Sequence, residues 1–420
     1  MPTKDYCAID FGTSNSAIAI PFESGMRLVE LEAGFRTMPT AVFYNAEDES
    51  RCYGRKAVAA YVDGFDGRLM RSIKSILGSD LMEQSTEIGH GIAIKYLDVV
   101  IGYLKHLKRV AEMQQGNTLR RAIIGRPVWF VDGNNVRDAK AEATLKAAAM
   151  AAGFADVAFQ YEPIAAALEY ESTIDSEQIV LVADIGGGTS DFSLVRVGPA
   201  RHAAIERHAD ILANHGIHVA GTDFDQSINI AAIMPALGYG SLGPGGRRVP
   251  GNVYFDLATW HLINTVYTPN RAIELREMIS MYADALRYQR LMTVVTRRLG
   301  HHLAALAEQA KIEVALQGIA AIDLDALDSG LKVVFTKAEQ ADALDHKVAR
   351  IVDAARETLR LAGLDRDQVS AAYFTGGSTG LGFLTERIAA LFPRARRVAG
   401  DRFSSVASGL GIYATRRFGR

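Results

Sequence analysis

Two carboxylates and three consecutive glycines lie close together in one stretch of the chain and could bind a phosphate group with its cation. Asp184 ends an apolar segment, Gly186–Gly188 follow it, and Asp191 opens the next apolar segment. Glycine lacks a Cβ, so an anion can approach the backbone N–H groups closely. Acidic side chains are tolerated beside a phosphate when they face a cation or its water. For the glycines alone, an ordinary glycine-rich hairpin is the alternative.

A similar arrangement occurs near the N-terminus. Asp10 ends the apolar segment that begins at Tyr6, and the small residues Gly12, Thr13 and Ser14 follow it. An internal repeat of this kind predicts two similar units, each contributing a phosphate-binding turn to a shared cleft. The repetition is a more specific signal of a phosphate-binding cleft than either turn alone.

The composition narrows the classes of protein to which the chain can belong. Apolar residues make up 49% and charged residues 22%, and the formal net charge is -2, as in ordinary globular proteins. The basic residues form no stripe, which disfavours a nucleic-acid partner. Cys7 and Cys52 cannot build a disulfide framework, so we expect free thiols and a cytoplasmic protein. No apolar run is long enough for a membrane span.

Strand and helix patterns alternate along most of the chain. Residues 121–130 and 157–161 predict strands, and residues 137–152 predict a helix. Residues 69–78 and 96–109 predict helices of a smaller inserted subdomain. Alternation of strands with long helices is typical of an α/β fold.

Six short motifs follow one another along the chain: Asp10–Asn15, Tyr161–Ala167, Asp184–Asp191, Gly221–Asp225, Glu308–Lys311 and Phe374–Ser378. They resemble the ATPase half of the DnaK-type seventy-kilodalton heat-shock chaperones, and most of all the shorter YegD-type bacterial Hsp70-like proteins. The resemblance implies an α/β protein with the actin-like ATPase fold. Such a fold has two lobes, each with an RNase H-like core and an inserted subdomain, and it holds ATP or ADP with Mg²⁺ between the lobes.

The resemblance also implies domain boundaries. We expect lobe I in residues 1–175, with its insertion at about 36–109, and lobe II in residues 176–420, with its insertion at about 222–330. A helix over residues 404–417 occupies most of the sequence after Gly400. We therefore expect no peptide-binding domain.

The family's site residues can be carried over position by position. Asp10 and Asp184 would hold Mg²⁺, mainly through its waters. Lys74 would place the attacking water, and Glu162 and Asp191 would orient it. Without the resemblance, the favoured interpretation of Glu162 is a helix N-terminal acid, and that of Lys74 is a solvated surface lysine. Thr189 belongs to the same predicted catalytic set, and the remaining predicted nucleotide contacts are Gly12, Thr13, Ser14, Gly186, Gly187, Gly188, Gly221, Glu308, Lys311, Gly376, Gly377 and Ser378.

The sequence departs from the family at the base-binding end. Ile312 and Gly380 stand where the family has the two arginines that sandwich the adenine, and Ala315 replaces a serine. Each lost stacking contact is worth on the order of 0.5–2 kcal/mol. We therefore expect weaker or less adenine-selective binding of nucleotide.

The predicted function is slow, Mg²⁺-dependent ATP hydrolysis that opens and closes the lobes, in a chaperone-related protein serving a protein partner or client. The first alternative is a filament-forming actin-like ATPase of the MreB or FtsA type, which shares the phosphate turns. The second is a sugar- or acetate-kinase-like phosphotransferase, for which lobe I shows no independent substrate motif.

Overall fold

The computed structural model describes residues 4–23, 25–131, 133–400 and 405–419. The chain divides into two compact units. Unit 1 consists of Met1–Ile217, Ala354–Thr379 and Arg387–Arg420, and unit 2 consists of His218–Asp353 and Gly380–Glu386. Within the described residues, no helix is both long and apolar enough to span a membrane.

The strands, in chain order over the described residues, are β1 (Tyr6–Phe11), β2 (Asn15–Phe22), β3 (Gly25–Leu28), β4 (Thr37–Pro39), β5 (Ala41–Asn45), β6 (Arg51–Tyr53), β7 (Gly67–Arg71), β8 (Ser85–Gly89), β9 (Ile92–Lys95), β10 (Arg121–Arg126), β11 (Asp156–Tyr161), β12 (Gln178–Ile185), β13 (Ser190–Val197), β14 (Ile211–Ile217), β15 (Ile319–Asp323), β16 (Lys332–Thr336), β17 (Val369–Thr375) and β18 (Arg396–Ala399).

The α-helices over the same residues are α1 (Gly54–Val62), α2 (Tyr96–Gln115), α3 (Asn135–Ala151), α4 (Glu162–Glu171), α5 (Pro199–His202), α6 (Gly221–Ile228), α7 (Asn252–Ala258), α8 (Pro269–Glu277), α9 (Ala285–Thr296), α10 (Gly300–Gln317), α11 (Lys337–Ala362), α12 (Gly382–Ala389) and α13 (Ser405–Phe418). Short 3₁₀ turns connect several of them, including Ile73–Ile76 and Gly377–Gly380. Ser404, the predicted start of the last helix, lies outside the described residues.

Unit 1 contains two large sheets with the same strand order. The first sheet runs β11-β10-β1-β2-β3, with β4 added beside β2, and the second runs β14-β13-β12-β17-β18. In each sheet the first three strands along the chain form an antiparallel meander, and two later strands extend the sheet in parallel. The predicted α/β class and the internal repeat are therefore both present.

Two helices of unit 1 pack so closely that only glycine fits between them. A Cβ on Gly409 of α13 would lie 1.8 Å from the carbonyl oxygen of Ala165 in α4. Ile164 and Leu410 are buried in the same apolar cluster, and each buried side chain of this size contributes about 1.5–3 kcal/mol. This packing fixes α4, whose first residue is Glu162.

The predicted helix over residues 69–78 is wrong. The segment forms the end of β7, which pairs with β5, followed by the 3₁₀ turn Ile73–Ile76. Apolar residues at helical spacing gave the expectation, but pairing with β5 outweighs local preference. Ser72, between the strand and the turn, is left-handed with φ of 56°. This reversal directs Ile73 and Lys74 into the protein, where both are buried.

Candidate functional site

The glycine turn of the second sheet joins two acids that lie side by side. Asp184 of β12 is the register partner of Asp191 of β13, and the turn residues Gly186 and Thr189 are joined by an N–H···O bond of 3.0 Å. Like charges directly opposite each other in a sheet repel. On the far side of Asp191, a Cβ on Gly216 would lie 2.3 Å from its Oδ1. Glycine at 216 therefore makes room for this carboxylate.

Thr40 makes two hydrogen bonds to the corresponding turn of the first sheet, Gly12–Ser14. The Thr40 hydroxyl donates to the Gly12 carbonyl at 2.8 Å, and its N–H donates to the Ser14 carbonyl at 2.9 Å. Because these carbonyls are bonded to Thr40, the turn has a fixed conformation next to Asp10. A fixed turn can present its backbone N–H groups to an anion without further ordering cost.

The two turns meet within unit 1. A Cβ on Gly187 would lie 2.3 Å from Ser14 Oγ, so the turns of both sheets are in direct contact at this point. Ser378 donates to the Gly186 carbonyl at 2.8 Å, and Gly376 is left-handed with φ of +89° beside Ile185. The structure therefore brings together three small-residue turns within unit 1.

Lys74 and Glu162 form a buried ion pair beside the turns. Lys74 Nζ lies 2.6 Å from Glu162 Oε1, and the two side chains are 9% and 16% exposed. Burial lowers the pKa of Lys74, but Glu162, Asp10 and Asp184 together raise it above its ordinary value, so the ammonium stays charged. Lys74 is therefore not a solvated surface lysine.

The site holds more negative than positive charge. Burial, with repulsion by Glu162, raises the pKa of Asp10 to about 7. Burial, with repulsion by Asp191, Glu162 and Asp10, raises the pKa of Asp184 to about 8. Lys74 lowers both values but does not offset the other effects. An added cation would relieve this repulsion.

The two aspartates with raised pKa values fit Mg²⁺ held largely through water. Within the described residues, no group of three or more His, Cys, Asp or Glu side chains is arranged to hold a metal ion directly. Mg²⁺ usually keeps several waters and needs only one or two carboxylates. The donor set of Asp10 and Asp184, with an excess of negative charge around it, matches that preference.

A small cavity borders the acids. Its volume is about 30 Å³, and Glu162, Asp184, Asp191, Trp129 and Asn214 are among its lining residues. A space of this size holds one or two water molecules when polar groups surround it. The carboxylates of Glu162 and Asp191 can thus accept hydrogen bonds from water placed between them.

Three predicted nucleotide contacts lie in unit 2. Lys311 of α10 forms an ion pair with Asp225 of α6 at 2.7 Å, and its Nζ lies 3.5 Å from the Gly221 carbonyl oxygen. Glu308 is exposed one turn earlier on α10. Ile312, in place of the family arginine, is 44% exposed, so this part of α10 presents an apolar rather than a cationic surface.

Comparison with known proteins identifies the family. A family model described as Hsp70 protein matches residues 6–233, which contain the turns Gly12–Ser14 and Gly186–Gly188, the acids, Lys74 and Gly221. The chain belongs to the Hsp70 family. Its fold is therefore the actin-like ATPase fold. Glu308, Lys311 and the turn Gly376–Ser378 lie outside the matched residues.

Two curated relatives are bacterial chaperones. The Hsp70-family chain is 33% identical to chaperone protein DnaK of Thermosipho melanesiensis over 229 residues, which is 54% of this chain and 35% of the relative. It is 32% identical to chaperone protein DnaK of Thermosipho africanus over 229 residues, with the same shares. The aligned part thus spans about a third of the length of these relatives.

Several residues that shape the site were not among those predicted from the sequence. A Cβ on Gly125 would lie 3.2 Å from Glu162 Cγ, and Gly216 makes room for Asp191 in the same way. A glycine inside a strand signals close approach of another group, and both positions carried that signal. Arg126 donates to the carbonyls of Pro127 and Val128 and pairs with Asp138, which fixes the segment before Trp129.

Proposed function

We propose that this Hsp70-family protein is an ATPase that binds Mg·ATP at the meeting point of its two sheets and hydrolyses it slowly. The observation that carries the proposal is the buried Lys74–Glu162 ion pair at 2.6 Å, close enough to Asp10 and Asp184 to be coupled to both electrostatically. A buried ion pair is weak evidence for a stabilising role. A cation among acids beside phosphate-type turns has a clear use in phosphoryl transfer.

The phosphate groups would be bound from both sheets. Gly12, Thr13 and Ser14 would offer backbone and hydroxyl donors from the first turn, and Gly186–Thr189 would do so from the second. Ser378 supports the second turn through its bond to Gly186. Asp10 and Asp184 would hold Mg²⁺, which when bound neutralises charge on the phosphate oxygens.

Hydrolysis needs a positioned water and stabilisation of charge. Glu162 and Asp191 line the small cavity and would accept hydrogen bonds from the water that attacks the γ-phosphorus. As the new P–O bond forms, the bond to the β-phosphate oxygen breaks and ADP leaves with that electron pair. The Lys74 ammonium would stabilise the negative charge on the transferred group. No covalent enzyme intermediate is required.

The base would be bound less selectively than the phosphates. Glu308 and Lys311 would contact the ribose, while Ile312 and Gly380 cannot stack on adenine as arginines do. We expect affinities for ATP and GTP within about 10-fold of each other, because the two stacking contacts that would favour adenine over guanine are absent. Tight binding restricted to adenine nucleotides, measured by calorimetric titration of ATP, GTP and ADP, would contradict this expectation.

Steady-state ATP hydrolysis tests the proposed function. Lys74→Ala and Glu162→Ala should each lower kcat by about 100-fold or more, as removal of a transition-state contact does. Lys140→Ala is the matched control, because Lys140 also forms a 2.6 Å ion pair, with Asp80, but both side chains are exposed. Equal turnover in all four proteins, or no turnover in wild type, would reject the catalytic assignment.

Two further experiments separate the alternatives. A filament-forming ATPase would sediment with ATP at high speed, whereas the proposed protein stays in the supernatant. A phosphotransferase would need an added acceptor, whereas the proposed protein releases inorganic phosphate from ATP and water alone. The same proposal includes a motion of lobe I (1–175) against lobe II (176–420). It also includes action on a protein partner or client in the cytoplasm.

A further inference from the structure

A second cavity of unit 1 lies where the end of α13 meets α5. Its volume is about 260 Å³, and its lining residues are His202, Ala203, Ile205, Thr415, Arg416 and Gly419. None of these residues belongs to the proposed ATPase site. The cavity is much larger than the small space beside Glu162.

Arg416 brings unused hydrogen-bond donors to this cavity. It donates to the His202 carbonyl oxygen and, at 2.6 Å, to His202 Nε2. A guanidinium carries five N–H donors. Within the described residues, no carboxylate lies within 4.0 Å of the Arg416 side chain, so the remaining donors have no acidic partner there.

The neighbouring carboxylates are already engaged by other arginines. Glu171 and Asp210, with side chains 0% and 5% exposed, both pair with Arg207, and Asp210 also pairs with Arg201. Burial lowers the pKa of Arg416; attraction by Glu171 opposes this effect, and the weaker repulsion by Arg207 adds to it. The acids of this network are therefore held by Arg201 and Arg207, and Arg416 has no ion pair of its own in the part of the chain that the structure describes.

We propose that this cavity is a binding site for a phosphate-class oxyanion, held by the guanidinium fork of Arg416. The planar fork matches two oxygens of a phosphoryl group, and Arg is suited to such bidentate recognition. Ala203 and Ile205 add apolar surface to the lining, which accommodates the carbon skeleton of an organic phosphate as well as free phosphate. Such a ligand would lie at the end of α13, the helix that packs against α4 through Gly409.

Equilibrium dialysis with radiolabelled inorganic phosphate, at constant ionic strength, tests the proposal on the whole chain. Arg416→Gln should weaken phosphate binding by about 10- to 100-fold, since a charged hydrogen bond accounts for a factor of that size. Arg417→Gln is the matched control because it removes the same charge from the neighbouring, exposed residue. Any phosphate bound at the glycine turns should be retained equally by both variants.

Arg416→Lys and side-chain spectra keep the test decisive if Arg416→Gln folds poorly. Lysine keeps the charge but loses the fork, so binding should still fall by about 10-fold. In ¹⁵N spectra of wild type, the arginine Nε signal absent from Arg416→Lys should shift with phosphate and not with chloride. Glycerol phosphate distinguishes an organic phosphate site from a free phosphate site by its relative affinity. Equal loss in the Arg416 and Arg417 variants, or equal competition by acetate, would overturn the proposal.

Discussion

Replacing Asp184 by Asn should make the protein more stable without Mg²⁺ while abolishing its proposed activity. Burial and repulsion by Asp191 raise the pKa of Asp184 from 3.8 to about 8. An acid with a raised pKa holds its proton more tightly in the folded than in the unfolded state. Unfolding therefore releases protons between those pH values, and the free energy of unfolding falls as pH rises from about 4 to about 8.

The size of the effect follows from the same two values. The difference between 3.8 and about 8 corresponds to about 5–6 kcal/mol at full ionisation. Asp10, Asp191 and Glu162 share the repulsion with Asp184, so removing one charge relieves only part of it. We expect Asp184→Asn to gain about 2–3 kcal/mol in free energy of unfolding at pH 9, and little at pH 4.

Urea unfolding at pH 4, 6 and 9 with a chelator present measures this gain. Asp80→Asn is the control, because Asp80 is a fully exposed acid whose pKa is lowered by Lys140, so it should not reproduce the pH-dependent gain. Adding Mg²⁺ at pH 9 should stabilise wild type more than Asp184→Asn. A variant that is equally stable or less stable than wild type at pH 9 would refute the reasoning about crowded acids.

Two other predictions concern packing. Gly187→Ala should weaken nucleotide binding by about 10-fold, because its Cβ would lie 2.3 Å from Ser14 Oγ, whereas Gly25→Ala in β3, outside the phosphate turns, meets nothing within 4 Å and should bind normally in the same titration. Arg207→Met should lower the free energy of unfolding by about 3–5 kcal/mol, since it leaves the buried Glu171 and Asp210 without their shared partner. Equal binding by the two glycine variants, or unchanged urea unfolding of Arg207→Met, would contradict these predictions.

The strands and turns of the site could be predicted because their signals are local. Asp184, the glycine turn and Asp191 lie in one hairpin, so the pattern of apolar runs was sufficient to place them. The repeat at Asp10 then predicted the matching sheet, which has the same strand order. Motif and topology are consistent at these positions, as expected for a sequence with one well-defined fold.

The surroundings of Lys74 could not be predicted from the residues next to it in the sequence. Its partner Glu162 is 88 positions away in the chain, and periodicity alone favoured a helix that the pairing of β7 with β5 excludes. The cavity at Arg416 likewise depends on His202, 214 positions away. Contacts of this range are set by tertiary packing, which a single sequence does not display.

A double-mutant cycle on ATP hydrolysis tests the central claim most directly, because Lys74 and Glu162 are proposed to act as one unit. Lys74→Met, Glu162→Gln and the double variant should be compared with wild type under single-turnover conditions. If the pair acts together, the double variant should hydrolyse ATP no more than a few-fold more slowly than the slower single variant. Losses that multiply in the double variant, or rates equal to wild type in either single variant, would contradict the account.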